Sequence, residues 1–134
     1  MSAMSDFMEA DVRKHYFRTG ASAKPTDLTV HLYTAAPGEA GGGTEVVGGS
    51  YAPVSRPPLD ANWSGASATD GLTDNVADLV YPAPTANWGS VTHFAIKDQV
   101  PNFLLYGALT QAKTVNNGDP APKWVAGALD ITFA

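Results

Sequence analysis

The spacing of apolar residues changes character near residue 20. Before it, Met4, Met8, Val12 and Tyr16 recur at every fourth position, with Phe7 beside them. That interval gathers side chains on one face of a helix. The pattern predicts a single amphipathic helix over residues 6–18. Asp6 stands at its start as a cap, and Glu9 three residues later completes a capping-box pattern. Glu9 with Arg13 and Asp11 with His15 are four apart, acid first, the favourable order. Arg13, Lys14 and Arg18 come late, where the helix dipole prefers cations, and Gly20 is a natural stop. Such a helix must bury its stripe against the body of the domain or against a neighbouring subunit.

After Gly20 the period falls to two. Leu28, Val30 and Leu32 alternate with Thr29, His31 and Tyr33, which predicts a half-buried strand between Pro25 and Pro37. Residues 35–43 hold Gly38 and the run Gly41, Gly42, Gly43, and read as a flexible loop with no regular element. Residues 44–47 form a short strand. Residues 51–59 are extended but broken by Pro53, Pro57 and Pro58, so they belong at a sheet edge or outside the ladder. Residues 60–70 are small and polar, a loop. Further strands are predicted at 72–81, 91–97, 103–109, 113–115, 123–126 and 129–133, separated by turn residues around Pro101 and by Asn116, Asn117, Gly118 and Asp119. Eight or nine short strands after one helix predict a mainly β fold: an antiparallel β-sandwich or small barrel. No βαβ alternation supports a parallel nucleotide-binding sheet. The tripeptide Ala-Asn-Trp occurs at 61–63 and again at 86–88, too short to establish a duplication.

Composition narrows the class. The chain has 134 residues, which fits one domain, with residues 1–20 as a helical arm and 25–134 as the sandwich. Charged residues are only 16% against the ~25% of an average domain, while 13 glycines and 10 prolines are many. At 44% hydrophobic the chain is not a disordered acidic tail. It contains no apolar run long enough to span a bilayer, and the segment after Met1 has neither the positive charge nor the apolar stretch of a signal peptide. A net charge of −5 argues against a nucleic-acid surface. With no cysteine, disulfides, thiol catalysis and cysteine zinc sites are excluded. A charge-poor surface of this kind suits a protein packed against others.

No residue pattern points to catalysis, a metal or a cofactor. His15, His31 and His93 lack metal-ligand spacing, and the strand histidines read as locally hydrogen-bonded or facing a neighbour. Asp70, Asp74, Asn75 and Asp78 form an acidic run without the spacing of a calcium loop. There is no G-x-S-x-G elbow. The only glutamates are Glu9, Glu39 and Glu45, which gives little material for a pair of glycosidase carboxylates. The triple glycine followed by Thr44 lacks the lysine and the following helix of a phosphate loop. Among the aromatics, Trp63 and Trp88 are the candidates for stacking on a sugar, against the commoner role of filling a core or an interface.

Six strings carry a resemblance: Leu-Tyr-Thr-Ala-Ala-Pro at 32–37, Gly-Gly-Gly-Thr-Glu-Val at 41–46, Gly-Ser-Tyr-Ala at 49–52, Thr-Ala-Asn-Trp-Gly-Ser-Val-Thr-His-Phe at 85–94, Leu-Leu-Tyr-Gly-Ala-Leu-Thr at 104–110, and Lys-Thr-Val-Asn-Asn-Gly-Asp at 113–119. In this order the set resembles a family of small tailed-bacteriophage proteins, usually labelled phage tail fibre or phage structural proteins. The chain departs from that pattern around Pro53, Pro57 and Pro58. The resemblance implies a virion component, assembled in the host cytoplasm, whose partners are other capsid or tail proteins and, by default, copies of itself. Nucleic-acid and membrane partners are not expected, on the charge and hydropathy grounds above.

A fibre shaft requires length, repeats or heptads, and this chain has none. The expectation is therefore a compact, non-enzymatic subunit docked on the particle: a capsid decoration protein or a tail-fibre adaptor. Met4, Phe7, Met8, Val12 and Tyr16 on the helix, with Gly41, Gly42 and Gly43 in the loop, are the candidate subunit contacts. The alternative is a carbohydrate-binding module that touches the host surface.

Overall fold

The computed structural model describes residues 2–65 and 71–133. Ten strands and one helix occur among the described residues, and every strand pairing is antiparallel. The strands are β1 (Ser2–Met4), β2 (Leu28–Ala35), β3 (Thr44–Glu45), β4 (Val54–Ser55), β5 (Leu72–Thr73), β6 (Leu79–Val80), β7 (Gly89–Asp98), β8 (Phe103–Val115), β9 (Lys123–Trp124) and β10 (Ile131–Thr132), with α1 (Asp6–Phe17) after β1. The main sheet runs β1-β8-β7-β2-β3, with β4 also on the outer side of β2; β5–β10 and β6–β9 are two-stranded ribbons. The sheet is open, so the arrangement is sandwich-like and not a barrel. No helix among the described residues is long and apolar enough to cross a membrane.

Register explains the core. Val30, Ile96, Leu105 and Met4 stand in one row across β2, β7, β8 and β1, and Leu32, Phe94, Gly107 and Ser2 form a parallel row two residues on. Strand residues two apart share a face, so both rows point the same way. Leu79, Leu129 and Ile131 of the ribbon layer pack on this face with Val30, Phe94, Ile96 and Leu105. A second cluster of Leu32, Val46, Tyr81, Trp88, Val91 and Val115 continues it. The ribbons are joined by buried Asn75. Its amide donates to the carbonyls of Ala77 and Val125 at 3.0 and 2.9 Å, and its oxygen accepts from Leu129 N–H at 3.0 Å.

Several expectations are corrected. Residues 2–4 are a strand, so Met4 belongs to the sheet and not to the helical stripe. The helix cap is Ser5, whose hydroxyl oxygen accepts from Met8 N–H at 3.1 Å, while Asp6 is the first helical residue. Ser5 wins because it is fixed from both sides: its N–H donates to Leu104 O at 2.8 Å and its hydroxyl donates to Phe103 O. The expected strand over 72–81 is two strands, because Asn75 turns its side chain to the backbone of other segments. The two expected strands at 103–109 and 113–115 are one. His93 faces Ala108 and Val91 faces Lys113, so Thr92 alone opposes residues 109–112, three extra residues held as a bulge.

The glycine loop is also ordered, contrary to its reading as flexible. Gly38 and Gly41 exchange both backbone hydrogen bonds, at 2.8 and 3.0 Å, around Glu39 and Ala40. This makes a short hairpin tongue. Its tip accepts from Asp6: Asp6 N–H donates to Glu39 O at 3.0 Å. The tongue leaves β2 and returns at β3, whereas Asp6 follows β1, so the tongue spans β7 and β8 on the face away from the core. Tyr106, on that face, feels it; partial burial and then the carboxylates of Glu39, Asp6 and Glu9 push its hydroxyl above the ordinary range. Gly43 at the root has φ +74°, and a Cβ there would lie 2.7 Å from Ala35 O and from Pro37 N. Only glycine fits there.

Candidate functional site

Two regions hold what the molecule presents for function: the N-terminal helix with the tongue, and a polar cluster at the edge of the sheet. Helix α1 lies against β8 and β1 but has no buried residue. Met4 and Met8 pack on the core. Phe7 and Val12 are each 37% exposed, Tyr16 is 73% exposed and Phe17 84%. The stripe is thus divided: its beginning is covered, and its end faces outward. Phe17 falls off the four-residue repeat, so spacing does not mark it, and its adjacency to Tyr16 is the one signal in the sequence. The tongue glycines Gly41, Gly42 and Gly43 all have positive φ, and Gly42 and Gly43 are exposed along its outer side.

The polar cluster sits on the second face of the sheet. Glu45 of β3 accepts from His31 Nδ1 and, at 3.1 Å, from the Tyr51 hydroxyl, while Lys97 Nζ stands 3.7 Å from its other oxygen. With Nδ1 carrying the proton to Glu45, Nε2 of His31 accepts from the Thr29 hydroxyl at 2.8 Å. Burial is the largest influence on His31 and holds its pKa below 6.5, outweighing the neighbouring Glu45 carboxylate, and Lys97 adds to the lowering. Burial likewise pushes Tyr51 far above its ordinary range, so its hydroxyl stays a donor. That oxygen also accepts from Leu32 N–H at 2.9 Å, filling the gap between β3 and β4 along the edge of β2.

The order hydroxyl, imidazole, carboxylate is the order of a nucleophile, its base and an orienting acid. The cavities of about 740, 140 and 250 Å³ are bordered by neither Thr29 nor His31. The geometry reads as a tie between strands, His31 of β2 held to Glu45 of β3. The pairing of His31 with Glu45 was not legible in the sequence, since the two are fourteen residues apart with the tongue between them. His93 bonds locally to the Thr92 hydroxyl at 2.8 Å, and His15 packs edge-on to Tyr16. No cluster of metal-ligating residues occurs among the described residues. Of the acidic run, Asp70 lies outside the described residues. Asp78 accepts from Ala126 N–H and pairs with Lys123.

The aromatics mostly serve the core. Trp88 is 5% exposed, with its indole N–H donating to Gly49 O at 2.9 Å. This corrects its reading as a stacking platform, because the ring is enclosed in the second cluster against Tyr51. Trp63 is half-buried and lines the 740 Å³ cavity, over an apolar floor that includes Leu28, Ile96 and Leu105, with Lys24, Asp60 and Ser64 among its polar lining.

Against known proteins, residues 3–132 match the family described as Podophage GP4 fiber I protein gp80. No curated protein matches the chain.

Proposed function

The chain belongs to the podophage GP4 fiber I protein gp80 family, and from that premise we propose that it is a small accessory subunit docked on the outside of the particle, an adaptor of the tail fibre. Family membership makes it a fibre structural protein of a tailed phage, a virion component that interacts with other virion components. The extent of the match, 130 of 134 positions, carries the reading and favours the tail over the capsid lattice. The compact body supports an adaptor over a shaft, since a shaft draws its length from repeats or heptads. In this reading the sheet and ribbons form the rigid body. The outer face of α1 and the outer side of the tongue make the subunit contacts, including those between copies of the chain. The role is non-enzymatic, a reading supported by the fibre family and by a Thr29–His31–Glu45 arrangement that ties β2 to β3.

Density for this chain in purified particles tests the proposal. Density at the tail fibre is expected, and density on the capsid lattice would overturn it. Removing residues 1–20 is a poor probe of the contacts, because β1 goes with the helix. Tyr16→Ala with Phe17→Ala leaves the sheet intact and is expected to abolish incorporation. Normal incorporation of that folded variant would exclude the helix as a contact. One observation favours a second reading, a carbohydrate-contacting module: Trp63 lines the 740 Å³ cavity with Asp60 and Ser64. A glycan array that gives hits lost in Trp63→Ala would support it, and an array without hits would remove it.

A further inference from the structure

Beyond the fibre reading, we propose that Asn117 is a site of spontaneous covalent modification, converted to aspartate and isoaspartate at a rate set by the opening of its own turn. The chain has six asparagines, and Asn117 alone precedes a glycine; the others precede Trp63, Val76, Trp88, Phe103 and Asn117. A side chain on the following residue crowds the approach of its backbone nitrogen to the carboxamide, and glycine brings no such obstacle. Residues 116–119 follow β8, and all four of their backbone N–H groups are held. Asn116 N–H donates to the Asp119 carboxylate at 2.8 Å, and Asp119 N–H donates to Asn116 O at 3.1 Å, which closes the turn. The two middle groups are held from outside it. Asn117 N–H donates to Asn87 Oδ1 at 2.8 Å, and Gly118 N–H donates to Pro84 O at 3.1 Å.

The Asn117 carboxamide, by contrast, is exposed and enters no hydrogen bond among the described residues. Gly118 has φ +84°, and nothing stands within 4 Å of where its Cβ would be, so a ring closing there has room. The electrophile is free and the nucleophile is held. The reaction needs only water. Once released from Pro84 O, Gly118 N loses its proton to solvent base and attacks Asn117 Cγ. The new N–Cγ bond forms, Nδ2 takes up a proton and leaves as ammonia, and a succinimide remains. Water then adds at either carbonyl of the ring and breaks one C–N bond, giving aspartate or isoaspartate. The chain gains a negative charge beside Asp119. Isoaspartate also lengthens the main chain by one carbon inside the turn, while buried Pro84 keeps its carbonyl in place. Attack requires an open turn, so the rate follows the local opening equilibrium.

Ageing the full chain in mildly alkaline buffer tests this. Trypsin cuts after Lys113 and Lys123 and releases residues 114–123 as one peptide, in which tandem mass spectrometry separates Asn117 from Asn116. Asn117 should convert first among the six asparagines, about tenfold more slowly than in the free synthetic peptide. Asn87→Ala removes the acceptor of Asn117 N–H and should raise the rate toward that of the peptide. Amide hydrogen exchange at Gly118 should rise in the same proportion, because one opening exposes the nitrogen to both reactions. Circular dichroism matching the parent would show that the variant folds. Dilute urea gives the same test without a mutation: conversion and Gly118 exchange should climb together. Asn117→Gln should abolish the change at position 117. Equal rates in parent and peptide, earlier conversion of another asparagine, or an intact Asn117 long after the peptide is spent would overturn the proposal. So would conversion that stays constant while Gly118 exchange rises.

Discussion

Glu45 receives three side chains from three segments: His31 of β2, Lys97 of β7, and Tyr51 from the stretch between β3 and β4. Tyr51 is the residue most exposed to substitution there. Tyr51→Phe leaves Leu32 N–H without its acceptor and takes one donor from Glu45, so it should cost about 1–3 kcal/mol in urea unfolding. His31 predicts a pH effect. Its folded pKa lies below the unfolded value of 6.5, with burial the main cause and Lys97 adding to it against Glu45. Below 6.5 the unfolded chain binds more protons than the folded one. This contribution is therefore complete above about pH 6.5 and is lost as the pH falls to the lowered folded value. The urea midpoint should drop on that side, and the drop should shrink in His31→Gln; equal profiles for the two proteins would refute it. Gly43→Ala should destabilise by more than ~1 kcal/mol, because φ is positive and the methyl meets backbone.

Elements with a strong local period were legible, and elements made by distant partners were not. The four-residue repeat placed α1 within a residue at its C-terminal end, and the alternation of Leu28, Val30 and Leu32 marked β2. Strand β1 escaped notice, since Ser-Ala-Met has no strand signature and is held by β8 and by Thr132 near the other terminus. Proline read 51–59 correctly as edge material: β4 is two residues on the outer side of β2. The glycine run reads as mobile from composition, but its conformational freedom serves a tight hairpin. Ser5 matters at this scale because it ends β1, caps α1 and bonds to β8. Ser5→Ala should cost about 1–2 kcal/mol, read as a lower midpoint and lost helicity.

At the scale of the whole molecule, the low charge of the sequence suits a component that packs against others. The candidate site was half legible. The candidate contacts on the helix follow from spacing, but which of them face outward depends on how α1 lies on the body. Phe17 and the Glu45 cluster depended on the fold alone. Asn75 ties the segments of the ribbon layer together. Asn75→Ala strands Leu129 N–H and several carbonyls, and should cost roughly 2–4 kcal/mol while keeping a single cooperative transition.

The bulge in β8 has a consequence for variation. The pairing above it, at Val91 and Lys113, and below it, at His93 and Ala108, is set independently on each side. Residues 110–112 are exposed, while Leu109 is anchored in both clusters. Length can change at 110–112 without moving either register. It is where a short epitope should be grafted onto every copy of the protein, and where drift among descendants would go unpunished by folding.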